Sequence, residues 1–261
     1  MTEPEKLRLG GMALRNGLLV HGPTHWAAAV RTDAGEVKVA SGRKPRLRAA
    51  DGVPGVRGVA RLGEAMVVIP LVKRALPEAK MPFQDVSVLG VAAGASLTGA
   101  LARKRLRGMG GESIAALVSV VPALFALRGG ELAAYHGVEH KSIAAYEQDS
   151  DAGDASKEHE RCGSHLVVPL LASNLAGTVL LRRTLERPGP VAGGAVALAS
   201  TAVAVEVFAW CERNAETRLA KALRRPGFEI QRLIGTREPD ERQLEVGRAA
   251  LAEILRAEAS N

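Results

Sequence analysis

Four long stretches without a charged side chain constrain this sequence more than any other feature. They are Val86–Ala102, Ser113–Leu127, Leu166–Leu181 and Pro188–Val205, of 17, 15, 16 and 18 residues. A membrane helix wants about 20 apolar residues, and about 17 suffice when flanking side chains reach the headgroups. One such stretch alone fits a buried helix of a soluble bundle equally well. Their number and their ends favour a bilayer. Arg103-Lys104-Arg105 with Arg107 follows the first, Arg128 the second and Arg182-Arg183 the third, and long cations at helix ends can snorkel to the headgroups. Gly90, Gly94 and Thr98 add small residues at four-residue spacing, which lets helices approach closely in lipid. The predicted fold is mainly α: a polytopic helical membrane core of about four helices.

The flanking regions read differently. The first nine residues mix acidic and basic side chains before any apolar run, unlike a secretory signal. Residues 10–41 carry turn signals at Gly10-Gly11, Asn16-Gly17, Gly22-Pro23 and Asp33-Ala34-Gly35, and Val37 and Val39 alternate with Glu36 and Lys38. That is the pattern of a small N-terminal antiparallel β module. Residues 42–58, rich in Arg, Gly and Pro, read as a linker. Val59–Ala75 reads as a mixed helix. After Trp210 the tail is polar, and Pro239-Asp240 with Gln243 opens an amphipathic C-terminal helix with Leu244, Leu251, Ile254 and Leu255 on one face. The predicted units are therefore 1–58, 59–212 and 213–261.

Composition excludes several classes. Aromatics are 3% of the chain, too few for base-stacking platforms, so no nucleic-acid partner is expected. The net charge of +7 instead favours an anionic surface such as lipid headgroups. Two cysteines, Cys162 and Cys211, exclude a disulfide scaffold and fit a reducing compartment. The basic N-terminal region favours a cytoplasmic N-terminus, although the cations at 103–107 would then lie outside. With four spans, residues 128–164 and the tail are cytoplasmic as well. The oligomeric state is not legible in the sequence.

The sharpest chemical signal is the H-x-x-E-H string His136-Gly137-Val138-Glu139-His140. On a helix, residues four apart share a face, so both imidazoles can reach one divalent ion, with zinc the best match. Glu139 stands beside them as a proton acceptor for an attacking water, the catalytic role. The same string marks inverted zinc peptidases. The competing reading is two interfacial histidines hydrogen-bonded to Glu139 and nearby carbonyls. A metal needs a third ligand, and Glu147, His159, Cys162, His165 and Glu206 offer themselves. Glu206 is preferred because it follows an 18-residue uncharged stretch, where a carboxylate is costly unless paired or metal-bound. Its competing reading is an ion pair with Arg182 or Arg213. His159 with Cys162 is a weaker ligand pair. His21 and His25 read as surface residues of the β module.

These residues resemble the YqhQ-like family of bacterial membrane proteins, a domain of unknown function described as a predicted metal-dependent enzyme. The resemblance is carried by five ordered segments. They are Gly10–Val30, the string YHGVEHKSIAAYE at Tyr135–Glu147, His159 with Arg161-Cys162-Gly163, Glu206, and PGFEIQRLIGTREPDERQLEV at Pro226–Val246. The chain departs from the family pattern at Met12, Asn16 and His21, where Gln, Glu and Arg are usual, and at Glu160, where Pro is usual. It keeps His136, Glu139, His140, Glu147, His159, Cys162, Glu206 and Arg237. The resemblance implies an integral membrane protein with a polar cluster and supplies no substrate.

The functional expectation is a membrane-associated, peptidase-like hydrolase. Its site has His136, His140 and Glu206 as ligands and Glu139 as the base, acting on a peptide or lipid. Glu147, His159, Cys162 and Arg237 are secondary candidates. The alternative is a non-enzymatic membrane scaffold whose His/Glu cluster is a structural polar network.

Overall fold

The computed structural model describes the chain apart from residues 1–5, 51, 54, 107–108, 129, 186–188 and 261. Arg107, the first residue of the stretch beginning at 188, and the extreme N-terminus therefore lie outside the described residues. The N-terminal module is a four-stranded antiparallel meander of β1 (Gly10–Leu14), β2 (Gly17–His21), β3 (His25–Arg31) and β4 (Val37–Arg43), in that spatial order. The first turn is Arg15-Asn16, and Gly17 already pairs with Leu14 and Val30. Its glycine is required by close approach, since a Cβ there would lie 2.0 Å from the Ala29 carbonyl oxygen. Asn16 clips the turn to the chain beyond the first helix. Its amide donates to the carbonyls of Arg31 (2.9 Å) and Glu78 (3.0 Å) and accepts from the Lys80 amide (2.9 Å).

The sheet is covered on both faces, which explains why β3 is apolar at nearly every position. Ala27 and Ala29 face one core with Leu18, Val20, Val138 and Ile254, whereas Trp26, Ala28 and Val30 face a second with Leu14, Val68 and Val72. That is the two-residue period of a strand, read against two cores. The first core is closed by α5 (Glu131–Gln148) and α9 (Glu241–Ala259), the second by α1 (Val56–Ala75) and the segment through Met81. Each fully buried Leu, Ile or Val contributes about 1.5–3 kcal/mol. The capping box at α9 forms as its sequence implies: the Gln243 amide donates to Asp240 (2.8 Å) and the Asp240 amide to Gln243 (3.0 Å). The tail helix is thus part of the sheet's core. In β4, by contrast, Val39 is exposed, as an edge strand permits.

Among the described residues, four helices are long and apolar enough to cross a membrane: Val86–Arg105, Met109–Leu127, Gly163–Thr184 and Val191–Arg213. The first is α2. The second is α3 (Met109–Ser119) followed by α4 (Val121–Leu127), with Pro122 just past the break. The third contains α6 (Val167–Thr184), and the fourth lies in α7 (Pro190–Arg213). α2 packs on α3 and α4, α3 on α6, α6 on α7, and α7 on α1. Leu97, Leu117, Leu180 and Leu198 are 62–63% exposed, which suits hydrocarbon rather than water.

The close contacts are made by Gly99 against Ala115 and Gly177 against Val196, while Gly90 and Gly94 face open space, so the predicted packing stripe lies elsewhere. Arg103 and Arg182 do more than flank spans. Both reach the buried Glu112 of α3, at 3.1 and 2.6 Å, tying three helices together.

His21 is half-buried beside Gly10 rather than on the surface. Burial, reinforced by the Lys44 ammonium, pushes its pKa down to about 4. The unfolded chain binds the proton first, at about pH 6.5. Stability is therefore full above that pH and is lost as pH falls toward 4. His21→Gln is predicted to lose about 3 kcal/mol less between pH 7 and 4 than the parent, read from denaturation in detergent. Asn16→Ala strands three backbone groups and is predicted to cost about 1–3 kcal/mol in the same measurement at pH 7.5.

Candidate metal centre

α5 is the most deeply buried helix of the described chain, although its sequence is polar. From Leu132 to Ala145 every side chain except His136 is buried. Gly137 is needed there because the Arg237 carbonyl oxygen would lie 2.3 Å from a Cβ. Several polar groups of α5 are met by two irregular segments folded over it, the 149–162 connection and a π-helical turn at Gln231–Gly235. Lys141 fixes the first, donating to the Ala155 carbonyl (2.8 Å) and pairing with Glu238 (2.5 Å). Gln231, fully buried, fixes the second to the first. Its oxygen accepts from the His159 amide (2.8 Å), and its nitrogen donates to the Ser164 hydroxyl (2.9 Å) and the His159 carbonyl (3.2 Å).

These segments orient both imidazoles. His136 Nδ1 donates to the Gly235 carbonyl (2.7 Å) and His140 Nδ1 to the Lys157 carbonyl (2.6 Å). A carbonyl can only accept, so each Nδ1 carries the proton. Burial, reinforced by His136, holds His140 well below the usual imidazole range and therefore neutral, with its lone pair on Nε2. The rings lie 4.3 Å apart. His136 Nε2 is 3.5 Å from Cys162 Sγ. His140 Nε2 is buried and has no hydrogen-bond partner among the described residues. Donor atoms of His136, His140 and Cys162 all lie within 4.8 Å of one another. Tetrahedral zinc with nitrogen at about 2.0–2.1 Å and sulfur at about 2.3 Å would set them roughly 3.6 Å apart. The Cys–His136 spacing already has that value, and the unpartnered His140 nitrogen is what a ligand without its ion looks like. Two imidazoles and a thiol, each imidazole buttressed by a backbone carbonyl, fit zinc with one coordination position left open.

Glu139 lies on the β1 side of this cluster. It is buried, and a Cβ on Gly11 would touch its carboxyl at 2.8 Å. Burial raises its pKa to about 7, against the opposing pull of His136 and the Ala13 amide. Burial likewise pushes the Cys162 thiol up, offset by bonds from Ser164.

The other sequence candidates have other partners. Glu206 does not join the converging donors. It is held bidentately by Arg57 (2.9 and 3.2 Å) and by the Gly55 amide (3.0 Å), so α7 uses it to anchor the start of α1. The ion-pair reading fits this residue, with Arg57 as the partner in place of Arg182 or Arg213. Glu147 binds Arg161 and His159. His159 is fully engaged, accepting from the Arg161 amide at Nδ1 (3.2 Å) and meeting Glu147 through Nε2 (3.2 Å). His165 contacts the carbonyls of Arg224 (3.0 Å) and His159 (3.3 Å). Arg237 contributes its backbone amide to Ala133 (2.9 Å). The third donor beside the two imidazoles is therefore Cys162. Sequence reasoning missed Gln231, Lys157 and Gly235 because two of them act through backbone carbonyls and a π-helical turn has no residue signature.

Residues 130–257 match the family model described as "Protein of unknown function (DUF1385)". That match runs from the start of α5 through nearly all of α9 and includes the three converging donors, Glu139 and the Gln231 clamp. The chain is also 25% identical over 304 aligned residues to "Uncharacterized protein YqhQ" of Bacillus subtilis (strain 168), an alignment covering 96% of this chain and 93% of the relative. No solved structure matches it. The ordered match along almost the whole chain, together with the family model over the segment that carries the cluster, supports the resemblance of this chain to the YqhQ-like family, whose function is unknown.

Proposed function

We propose that the protein is a multi-pass membrane hydrolase with a zinc centre at the bilayer surface, held by His136, His140 and Cys162. The observation that supports this most is the buried, partnerless Nε2 of His140, a residue whose ring offers a donor within 4.8 Å of those of His136 and Cys162. Location supports it too. Cys162 immediately precedes the span Gly163–Thr184, and α5 begins just beyond the span ending at Leu127. The sheet and α9, from opposite ends of the chain, pack together, as an even number of crossings requires. A free thiol donor suits a reducing compartment, so the proposed face is cytoplasmic.

When bound, a zinc ion supplies Lewis acidity that polarises a carbonyl and makes water acidic near neutral pH. The chain's residues do the rest. Glu139, on the helix between the two imidazoles and buried beside Gly11, accepts a proton from the attacking water. The water oxygen bonds to the carbonyl carbon of an ester or amide, the bond to the leaving oxygen or nitrogen breaks, and Glu139 returns the proton to that leaving group. His136 and His140 are held in one tautomer throughout by the Gly235 and Lys157 carbonyls.

Elemental analysis of the detergent-purified protein is predicted to give close to one zinc per chain, lost in His140→Ala and sharply reduced in Cys162→Ser. Glu206→Gln is predicted to retain the metal, because Glu206 serves Arg57; loss of zinc there would restore it as a ligand. Glu139→Gln is predicted to keep the metal and abolish turnover; equal loss of metal would make it a ligand rather than the base. Chelation is predicted to lower the melting temperature, and zinc at about 1,000 times its Kd to restore about 4 kcal/mol. A chain that purifies without any metal under non-chelating conditions contradicts the reading.

A further inference from the structure

The donor cluster opens on a chamber of about 480 Å³ whose walls differ in kind. One wall is the cluster itself, His136, His140, Cys162 and Glu139. Its apolar lining includes Ala123, Ala126 and Leu127 of α4 and Met12 of β1. α4 is the second half of a helix pair long and apolar enough to cross a membrane, so a candidate membrane helix contributes to the lining of a polar site. His136 lies only about 8 Å along α5 from its first residue, at 1.5 Å of rise per residue, and Cys162 abuts the next span. The chamber therefore sits where hydrocarbon gives way to headgroups.

Charge and polarity narrow the occupant. Arg161 lines the chamber, but its guanidinium is engaged by Glu147 and the Leu9 carbonyl, so it offers no free cation to an anionic group. The α4 and β1 lining is apolar. A peptide laid against it would leave backbone amides without partners, which is costly, whereas an acyl chain loses nothing there. From this we infer that the site takes a lipid, with its acyl chain against α4 and Met12 and its ester or amide carbonyl at the donor cluster. This deepens the hydrolase reading and rests on it for the chemistry. The step itself is the hydrolysis already described, with water as the only co-reactant. It yields a fatty acid and the alcohol or amine.

The full-length protein in phospholipid nanodiscs, doped with a phosphatidylcholine bearing a diazirine at the end of its palmitoyl chain, tests this. After irradiation and digestion, adducts are mapped by mass spectrometry and zinc is measured on the same sample. The expected result is labelling of Met12 and Leu127 inside the chamber as well as of outward residues such as Leu180. Ala126→Trp should remove most of the Met12 adduct by filling the pocket, while leaving Leu180 labelling and zinc content unchanged. Labelling confined to outward residues in the parent overturns the inference, whatever the zinc content. Labelled Met12 in a parent without zinc supports the lipid chamber and overturns only the hydrolase reading. The parent adduct map stands even if Ala126→Trp does not fold.

Discussion

Two backbone carbonyls aimed at two histidines organise this protein's centre. Gly235 and Lys157 each accept a hydrogen bond from an Nδ1, which leaves both Nε2 atoms of α5 unprotonated and sets that of His136 3.5 Å from Cys162. Neither carbonyl belongs to a regular helix or strand that would hold it by default. Gly235 sits at the end of a π-helical turn and Lys157 in a connection between helices. What holds them is the fully buried Gln231, which bonds to both sides of the 159–164 segment, and Lys141, which bonds across to Ala155 and Glu238. Burying an amide and an ammonium is costly unless they are hydrogen-bonded, and here the amide bonds through both its oxygen and its nitrogen and the ammonium meets a carbonyl and a carboxylate. The outer layer of the site is thus as specific as the inner one.

The rest of the fold serves this arrangement. The sheet and α9 close one side of α5, and α1 closes the far side of the sheet. Without that enclosure Glu139 would be hydrated and would titrate as an ordinary carboxylate. The proposed depth of the cluster at the bilayer surface rests on two neighbours in sequence: Cys162 immediately precedes the apolar helix Gly163–Thr184, and α5 begins shortly after the one ending at Leu127. The ionic tie of Arg103 and Arg182 to Glu112 shows the same economy, one buried acid fixing three helices.

Much of this architecture is legible in the sequence. The charge-free stretches mark the spans because hydrocarbon tolerates few charges, and the strand turns and the Asp240–Gln243 cap are local signals that need no tertiary context. The H-x-x-E-H spacing puts two imidazoles on one face for the same local reason. The third donor is different. Glu206 attracts attention as a lone carboxylate after an apolar stretch, yet that cost is met by Arg57 on another helix, a pairing set by how α1 and α7 pack. Cys162 carries only a weak spacing signal and reaches the imidazoles because a long connection folds back over α5. The Gly90–Gly94 stripe fails for a related reason, since periodicity says which residues share a face but not which face meets a neighbour. His21 is half-buried against the sheet beside Gly10, which no turn signal reveals.

The most direct test of the centre is the metal's own coordination shell, measured by X-ray absorption at the zinc edge on the purified full-length protein. The account predicts two nitrogen neighbours at about 2.0–2.1 Å, one sulfur at about 2.3 Å and one further light atom. A shell without sulfur, or one that keeps its sulfur when Cys162 is replaced by Ser, would contradict it.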